Sequence, residues 1–550
     1  MPRDWHEAVA EATVLIPAAA PTPELFGGPS TSAMTPVAGR PVIQWTLSYL
    51  IGLGFTRFRI GVRPEAAWLT DFVTTLLTDD HDVAVVTMET ASLGQTVRAL
   101  AEDCPTERGL IVLGDTFFEF DTPAVLVSDD PLVLVGEVQE SARWCIAHVD
   151  EGLVRSLSDK VPGLADPLEA LVGVYLIPRL SELANALQEG ENGDPPDFTE
   201  GLRSFVFEDR LHAVRAGKWF DAGHADRRSN ATRRLMAQRA FNSLQVNDLS
   251  GTIRKSSTNV QKFINEINYI RLLPNDLAIY FPRLVDFSVL RDNPWVELEF
   301  YGYPTLAELF LYHDLDPAAW RQIFEHLHTV LARDFGRHVH PIDRADVRAM
   351  YIGKIDDRLG DLRSEPRLGK LIDEPYLTVN GKRLANLGAL HGWFEVEVDR
   401  LCDSTAGTVI HGDFCLSNIL YDLRTSICRF IDPRGSFGTP GIGGDIRYDV
   451  AKLWHSVHGH YDLIVNDLFD IQYDSSTNSV LLEIHTRSQH DAARDAMADV
   501  FFKDFDRRDI TIICGLIFCS IPALHYDHAD RQLAMYVRGL QLLDEARGQS

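Results

Sequence analysis

The sequence predicts two dissimilar bodies in series, an α/β unit built on a mostly parallel sheet and then an α+β unit rich in helix. Three observations carry that expectation. A chain of 550 residues exceeds what one hydrophobic core organises. Apolar runs of strand length alternate with helical patterns up to about residue 225. From about residue 240 that alternation gives way to a short β pattern and then to mostly helical sequence.

In the first half, "TVLIPAA", "RFRIGV", "DVAVVTM" and "LIVLGDTFF" read as strands. Between them "PVIQWTLSYLIGLG" and "GQTVRALAEDC" carry apolar residues at helical spacing, so helices are expected on both faces of the sheet. Such sheets place ligands at the carboxyl ends of their strands. Around "HADRRSNATRRLMAQRAF", five arginines at helical spacings predict a connecting helix rather than a loose linker. The second half opens with the β pattern "FNSLQVNDLSGTIRKSS", the helical "NVQKFINEINYIRLLP" and the strand "PWVELEFY". Domains are therefore expected at 1–228 and 229–550, the second with a small lobe at about 240–302 and a helical large lobe from about 303 to 550.

Composition narrows the function classes. Hydrophobic residues make up 45% and charged residues 24%, as in ordinary globular chains. A net charge of −27 argues against nucleic acid or an anionic membrane as main partner, since both select a basic footprint. The seven cysteines form no C-x-x-C pair and read as reduced, mostly buried thiols. "MPRDWHEAVAEATVLIPAAA" has acidic residues where a signal peptide has a basic flank, and no run of 18 apolar residues occurs, so a cytoplasmic protein without a membrane span is expected. Association of identical chains stays open.

The stretch "VIHGDFCLSNILYDLRTSICRFIDPRG", residues 409–435, carries the chemistry. Read as a hairpin whose turn centres near Thr425, it sets Asn418 opposite Asp432 and Leu420 opposite Phe430, with Asp413 on the loop leading in. Two carboxylates and an amide oxygen then converge at one mouth. That is a costly grouping unless a hard cation and a proton-donating substrate share it. Magnesium with a nucleoside triphosphate meets the requirement: Asn418 and Asp432 hold the metal, and Asp413 orients and deprotonates an attacking hydroxyl.

These residues resemble the aminoglycoside-phosphotransferase and choline-kinase-like group, relatives of the protein kinases, whose signature is H-G-D-x-x-x-x-N followed by a strand ending in I-D. His411, Gly412, Asp413, Asn418, Ile431 and Asp432 stand in that register, and the resemblance extends over roughly 240–550. It implies a bilobal kinase-like fold, ATP and Mg2+, an upstream lysine on the phosphates and a helical glutamate paired with it. Lys255 and Glu266 sit at suitable spacing. "WVELEFYGYPTLAELF" resembles the hinge that receives adenine, which assigns Glu299 and Tyr301 to that segment. No G-x-G-x-x-G precedes Lys255. In "GGDIRYDVAKL", Asp449 either braces the catalytic loop or merely starts a helix, and Asp445 suits both roles. Arg434 either meets substrate charge or folds back onto Asp449. The histidines of "WHSVHGHYD" have no thiol or carboxylate at ligand spacing. The aromatic residues around them and in "ALHYDHADRQLAMY" read as helix packing ahead of a cage for a quaternary amine.

The first half resembles sugar-1-phosphate and choline-phosphate nucleotidyltransferases, of Rossmann-like, GT-A type. "VLIPAAAPTPELFGGPSTSAMTPVAGRP", "VLGDTFFE", "SLSDKVPG", "VGVYLI" and "WFDAGHADR" follow the family's order over residues 12–228. The resemblance makes Asp115 and Asp221 a divalent-metal pair and admits CTP or another NTP. The nucleotide loop departs from the family. Its glycine-rich G-x-G-x-R turn is here Ala20-Pro21-Thr22-Pro23-Glu24, and its P-K pair is Thr31-Ser32. Proline removes amide donors from a phosphate cradle and the glutamate repels phosphate. Lys160 remains, and Gly27-Gly28 offers a shifted loop.

The expected function is ATP-dependent phosphorylation of a hydroxyl on a sugar, amino alcohol or similar small molecule, in surface polysaccharide or capsule precursor synthesis, beside a degenerate nucleotidyltransferase-like domain. Two alternatives stand: a bifunctional enzyme making an NDP- or CDP-activated precursor, and a non-catalytic nucleotide-binding sensor or scaffold.

Overall fold

The computed structural model describes residues 4–19, 31–188, 197–221, 244–247 and 250–548, apart from 67, 78, 79, 364, 365 and 527, and apart from the side chains of 65, 221, 361, 366 and 367. The chain divides into two compact units, 1–235 and 236–550. The arginine-rich segment expected as a connecting helix lies outside the described residues.

A ten-stranded sheet forms the first unit. One side of it is parallel: Asp82–Thr87, Arg57–Val62, Ala12–Pro17 and Arg108–Val112 lie in that spatial order. Ala12–Pro17 is buried along its whole length, as a central strand covered on both faces must be. Elsewhere the sheet is mixed: His212–Asp221 pairs parallel with Leu132–Val138, but the other pairings are antiparallel, so the expectation of a mostly parallel sheet holds on this side and in that one further pair. Leu168–Ile177 runs antiparallel to both Arg108–Val112 and Leu132–Val138, and Cys145–Asp150 with Leu153–Asp159 is a hairpin closed at Glu151-Gly152. The reading of "LIVLGDTFF" as one strand also changes. The run breaks at Leu113–Asp115 into Arg108–Val112 and Thr116–Phe120, and the second piece pairs with His212–Asp221. Gly114 permits the break, because a Cβ there would stand 3.0 Å from the Ala18 Cα.

In the second unit a four-stranded antiparallel sheet, ordered Leu244–Asn247, Thr252–Ser256, Trp295–Glu299 and Leu284–Ser288, packs against the helix Val260–Leu272 through Phe263, Ile267 and Val296. Asn259 caps that helix by accepting from the Lys262 amide. The remainder is mostly helical. Arg507–Ser520 packs on both Ala529–Gly548 and Ile446–Val457. The close crossing of Arg507–Ser520 and Ala529–Gly548 depends on Gly515 and Gly539; a Cβ on Gly539 would meet the Cys519 sulfur at 2.6 Å. A second four-stranded sheet, unanticipated in a region read as helical, joins Tyr376–Val379 and Lys382–Ala385 to Ser479–Ile484 and Phe469–Asp474.

Candidate active site

The hairpin of residues 409–435 forms with its register displaced by one. Ile419 faces Phe430 and Leu420 faces Arg429, and the Ile431 amide donates to the Asn418 carbonyl at 3.0 Å. The expected opposition of Asn418 to Asp432, and of Leu420 to Phe430, is therefore corrected. The turn comprises four residues, 423–426, so its centre falls between Arg424 and Thr425 rather than on a residue. Asp432 leaves the ladder in a left-handed conformation, φ 56°, which strains a residue with a Cβ by about 1–2 kcal/mol.

From there the Asp432 carboxylate reaches Lys255. The Lys255 ammonium lies 2.8 Å from Asp432 Oδ1 and 2.7 Å from Glu266 Oε1. Strand and helix both contribute: Lys255 sits on Thr252–Ser256 opposite Val296, and Glu266 faces inward from Val260–Leu272. Burial works against the ammonium, but Asp432 and Glu266 outweigh it and raise its pKa. Burial, with Asp432 adding to it, pushes Glu266 up to about 7, and Lys255 pulls the other way. At 2.7 Å the pair makes a charge-assisted hydrogen bond.

Asp413 is fixed from several sides. Its Oδ1 is 3.0 Å from the Lys452 ammonium, and the Asn418 amide nitrogen donates to its carbonyl at 2.8 Å and to Oδ2 at 3.3 Å. A carbonyl only accepts, so the Asn418 nitrogen must face it and the amide oxygen points away. Burial opposes charge on Asp413, yet Lys452 and Arg434 hold its pKa well below the usual carboxylate range. His411 is buried and neutral. Its Nδ1 accepts from the Asp413 amide at 3.2 Å, which leaves Nε2 to donate to the Ile431 carbonyl at 3.0 Å. Desolvation depresses its pKa to about 4.

Asp449 braces the loop. Its two oxygens accept from the His411 amide at 2.6 Å and the Gly412 amide at 2.8 Å. Burial pushes it up to about 7 while these donors pull it down, and both oxygens are spent as an ionised carboxylate spends them. Asp445 takes the other role: it caps the helix Ile446–Val457 and binds Arg447 and the Tyr351 hydroxyl. Arg434 donates to the Tyr448 hydroxyl at 2.8 Å. Tyr301 donates to Glu299 Oε2 at 3.2 Å, so the two side chains expected in the adenine segment engage each other. The histidines pack: His455 lies between Tyr461 and Phe518, with ring centroids 4.2 and 4.5 Å away, and His458 meets Glu545 at 2.8 Å.

Lys452 escaped the sequence reading. Its signal was a lysine three residues after Asp449, on the same face of a helix buried from Tyr448 to Val457.

In the first unit, Asp115 follows the parallel strand Arg108–Val112, and the backbone of Asp221 is the register partner of Thr116. Strand pairing thus brings the expected metal aspartates together in the chain path, while the Asp221 side chain lies outside the described residues. So do Ala20 to Glu24 and Gly27-Gly28. Thr31 and Ser32 are buried, and the Thr31 hydroxyl donates to the Ala18 carbonyl at 2.7 Å. Lys160 is exposed on a turn with φ 52°.

No family model and no curated protein matches this chain. Solved structures do match its N-terminal part. A UDP-glucose pyrophosphorylase from Acinetobacter baumannii is 14% identical with TM-score 0.37, covering 42% of this chain and 95% of its own. HddC from Yersinia pseudotuberculosis is 17% identical with TM-score 0.34, covering 41% and 99%. A UDP-glucose pyrophosphorylase complexed with UDP-glucose is 18% identical with TM-score 0.35, covering 42% and 100%.

Proposed function

We propose that residues 236–550 form an ATP-dependent kinase acting on a hydroxyl of a small molecule. The observation that carries this reading is the union of a strand lysine, a helical glutamate and the hairpin-mouth aspartate, Lys255 lying 2.7 Å from Glu266 and 2.8 Å from Asp432. In this reading Glu266 aims Lys255 at the nucleotide phosphates. Asp413 orients the acceptor hydroxyl and takes its proton, and its depressed basicity suits a transfer that comes late, as charge builds on the attacking oxygen. The outward amide oxygen of Asn418 and the half-exposed carboxylate of Asp432 are hard oxygen donors that fit magnesium. Bound there, the ion would offset the negative charge of the phosphates. Asp449 and His411 hold the loop that carries Asp413.

In the first unit the inward-turned Thr31 and Ser32 support a domain that no longer transfers nucleotides. The adjacency of Asp115 and Asp221 in the chain path supports the bifunctional alternative. Pyrophosphate release from CTP or another NTP, abolished in Asp115→Ala, decides between them. Joined to such a unit, the kinase is proposed to serve surface polysaccharide or capsule precursor synthesis. The kinase reading itself is tested by ADP formation from magnesium-ATP with a panel of sugars, polyols and amino alcohols; a panel that yields no ADP above background excludes it in favour of a nucleotide-binding scaffold.

A further inference from the structure

Beside Asp413 stands a group of cations that its chemistry does not use. Lys354 begins the regular helix Lys354–Arg363, directly after a widened π turn at Ala349–Gly353, a deviation that recurs at functional sites. Its ammonium nitrogen is buried and has no hydrogen-bond partner among the described residues. It lies 5.4 Å from the centre of the Tyr448 ring, and the Arg434 guanidinium lies 5.8 Å from the same centre. Burial first, and then the charges of Arg434, Arg358 and Lys452, press its pKa well below the ordinary value, with the Asp413 carboxylate opposing them. Asp413 is already paired with Lys452 at 3.0 Å, and Asp449 is spent on loop amides, so neither neutralises Lys354.

A buried ammonium surrounded by cations is unfavourable unless an anion completes it. Among the described residues the Arg358 guanidinium donates to the Ser520 carbonyl and hydroxyl, at 3.1 and 3.3 Å, and is ion-paired with no carboxylate, so it brings a further charge. The rings of Tyr448 and Tyr461 are faced by cations of the chain itself, Lys354 and Arg434 on the first and Lys452, at 5.7 Å, on the second. We infer that the acceptor phosphorylated beside Asp413 carries an anionic group, a phosphate or a carboxylate, held by Lys354 with Arg434 and Arg358. This rests on the kinase reading for the word acceptor, but the anion site stands on its own geometry.

The test uses the full chain. Inorganic phosphate is titrated calorimetrically into wild type, Lys354→Met and, as control, Lys503→Met at an exposed surface lysine. Phosphate binding should weaken by at least about tenfold in Lys354→Met and stay within about twofold in Lys503→Met. Wild-type affinity in Lys354→Met, or no phosphate binding to wild type, overturns the inference. Removing an unpartnered buried charge should also raise the melting temperature of Lys354→Met, and Arg358→Ala, expected to weaken phosphate in the same direction, serves as second variant. With magnesium-ATP, glucose is then compared with glucose 6-phosphate and glucuronate. An anionic member should exceed glucose in kcat/KM by at least about tenfold, and which one does so separates phosphate from carboxylate. Equal use of all three overturns the inference and leaves the kinase reading intact. No ADP from any acceptor removes the kinase reading, while the phosphate titration still decides the anion site.

Discussion

In the first unit, the residues standing where the resemblance expects a phosphate-binding pair turn inward: the Thr31 hydroxyl satisfies the Ala18 carbonyl and Ser32 is buried beside it. In the second unit charged groups are retained under burial, and each needs others to stay there: Lys255 between Glu266 and Asp432, Asp413 against Lys452, Asp449 against two loop amides. A buried hydroxyl with one acceptor is inexpensive to keep. A buried charge is tolerated only in company, and an apolar replacement would often be as stable. On the proposed reading the second unit keeps its network for phosphoryl transfer, whereas Thr31 is held as ordinary core.

Perturbing each side breaks or sharpens this contrast. The largest effect is expected at Asp413. Asp413→Asn should lower the phosphoryl-transfer rate by about a hundredfold to ten-thousandfold, while Asp115→Ala leaves ADP formation within about twofold; steady-state assays on both variants decide it. Next comes the brace. Asp449→Ala orphans two buried amides at about 1–3 kcal/mol each, which denaturant titration should register as a lowered midpoint.

Acid acts on the same loop. His411 is held neutral with its pKa near 4, below the unfolded value of about 6.5. The unfolded chain therefore binds the proton first, so stability falls as pH drops from about 6.5 towards 4, by about 3 kcal/mol from this residue. His455 and His490, both depressed by burial, act in the same direction. Subtracting the pH profile of His411→Gln from that of wild type isolates the share, and parallel profiles would refute it. The smallest effect is expected in the first unit. Thr31→Val should cost about 1 kcal/mol in thermal or chemical melts and leave ADP formation unchanged.

Much of this was legible from residue order, and the exceptions have physical causes. Lys255, Glu266, Asp413 and Asn418 lie on elements whose local patterns are strong, so their spacing carries information. The hairpin register was not fixed by its apolar pattern, because Tyr421 and Phe430 are buried in either alignment and the turn length alone decides; four turn residues move Asn418 from Asp432 to Ile431. The sheet at Tyr376–Ala385 had a readable sign, the Asn380-Gly381 turn with φ 48° and 80°, but its partner strand lies about a hundred residues on. Lys354 shows no local sign at all. Its meaning comes from Arg434 and Tyr448, far away in sequence and brought close only by the helical packing of the large lobe.

The most direct measurement is transfer of labelled γ-phosphate from magnesium-ATP to a small hydroxyl acceptor by the full chain, run beside calorimetric binding of the nucleotide. Wild type should label an acceptor, and Asp413→Asn should bind nucleotide with unchanged affinity yet label at least about a hundredfold more slowly. Labelling by Asp413→Asn at the wild-type rate, or none by wild type with any acceptor, would contradict the account.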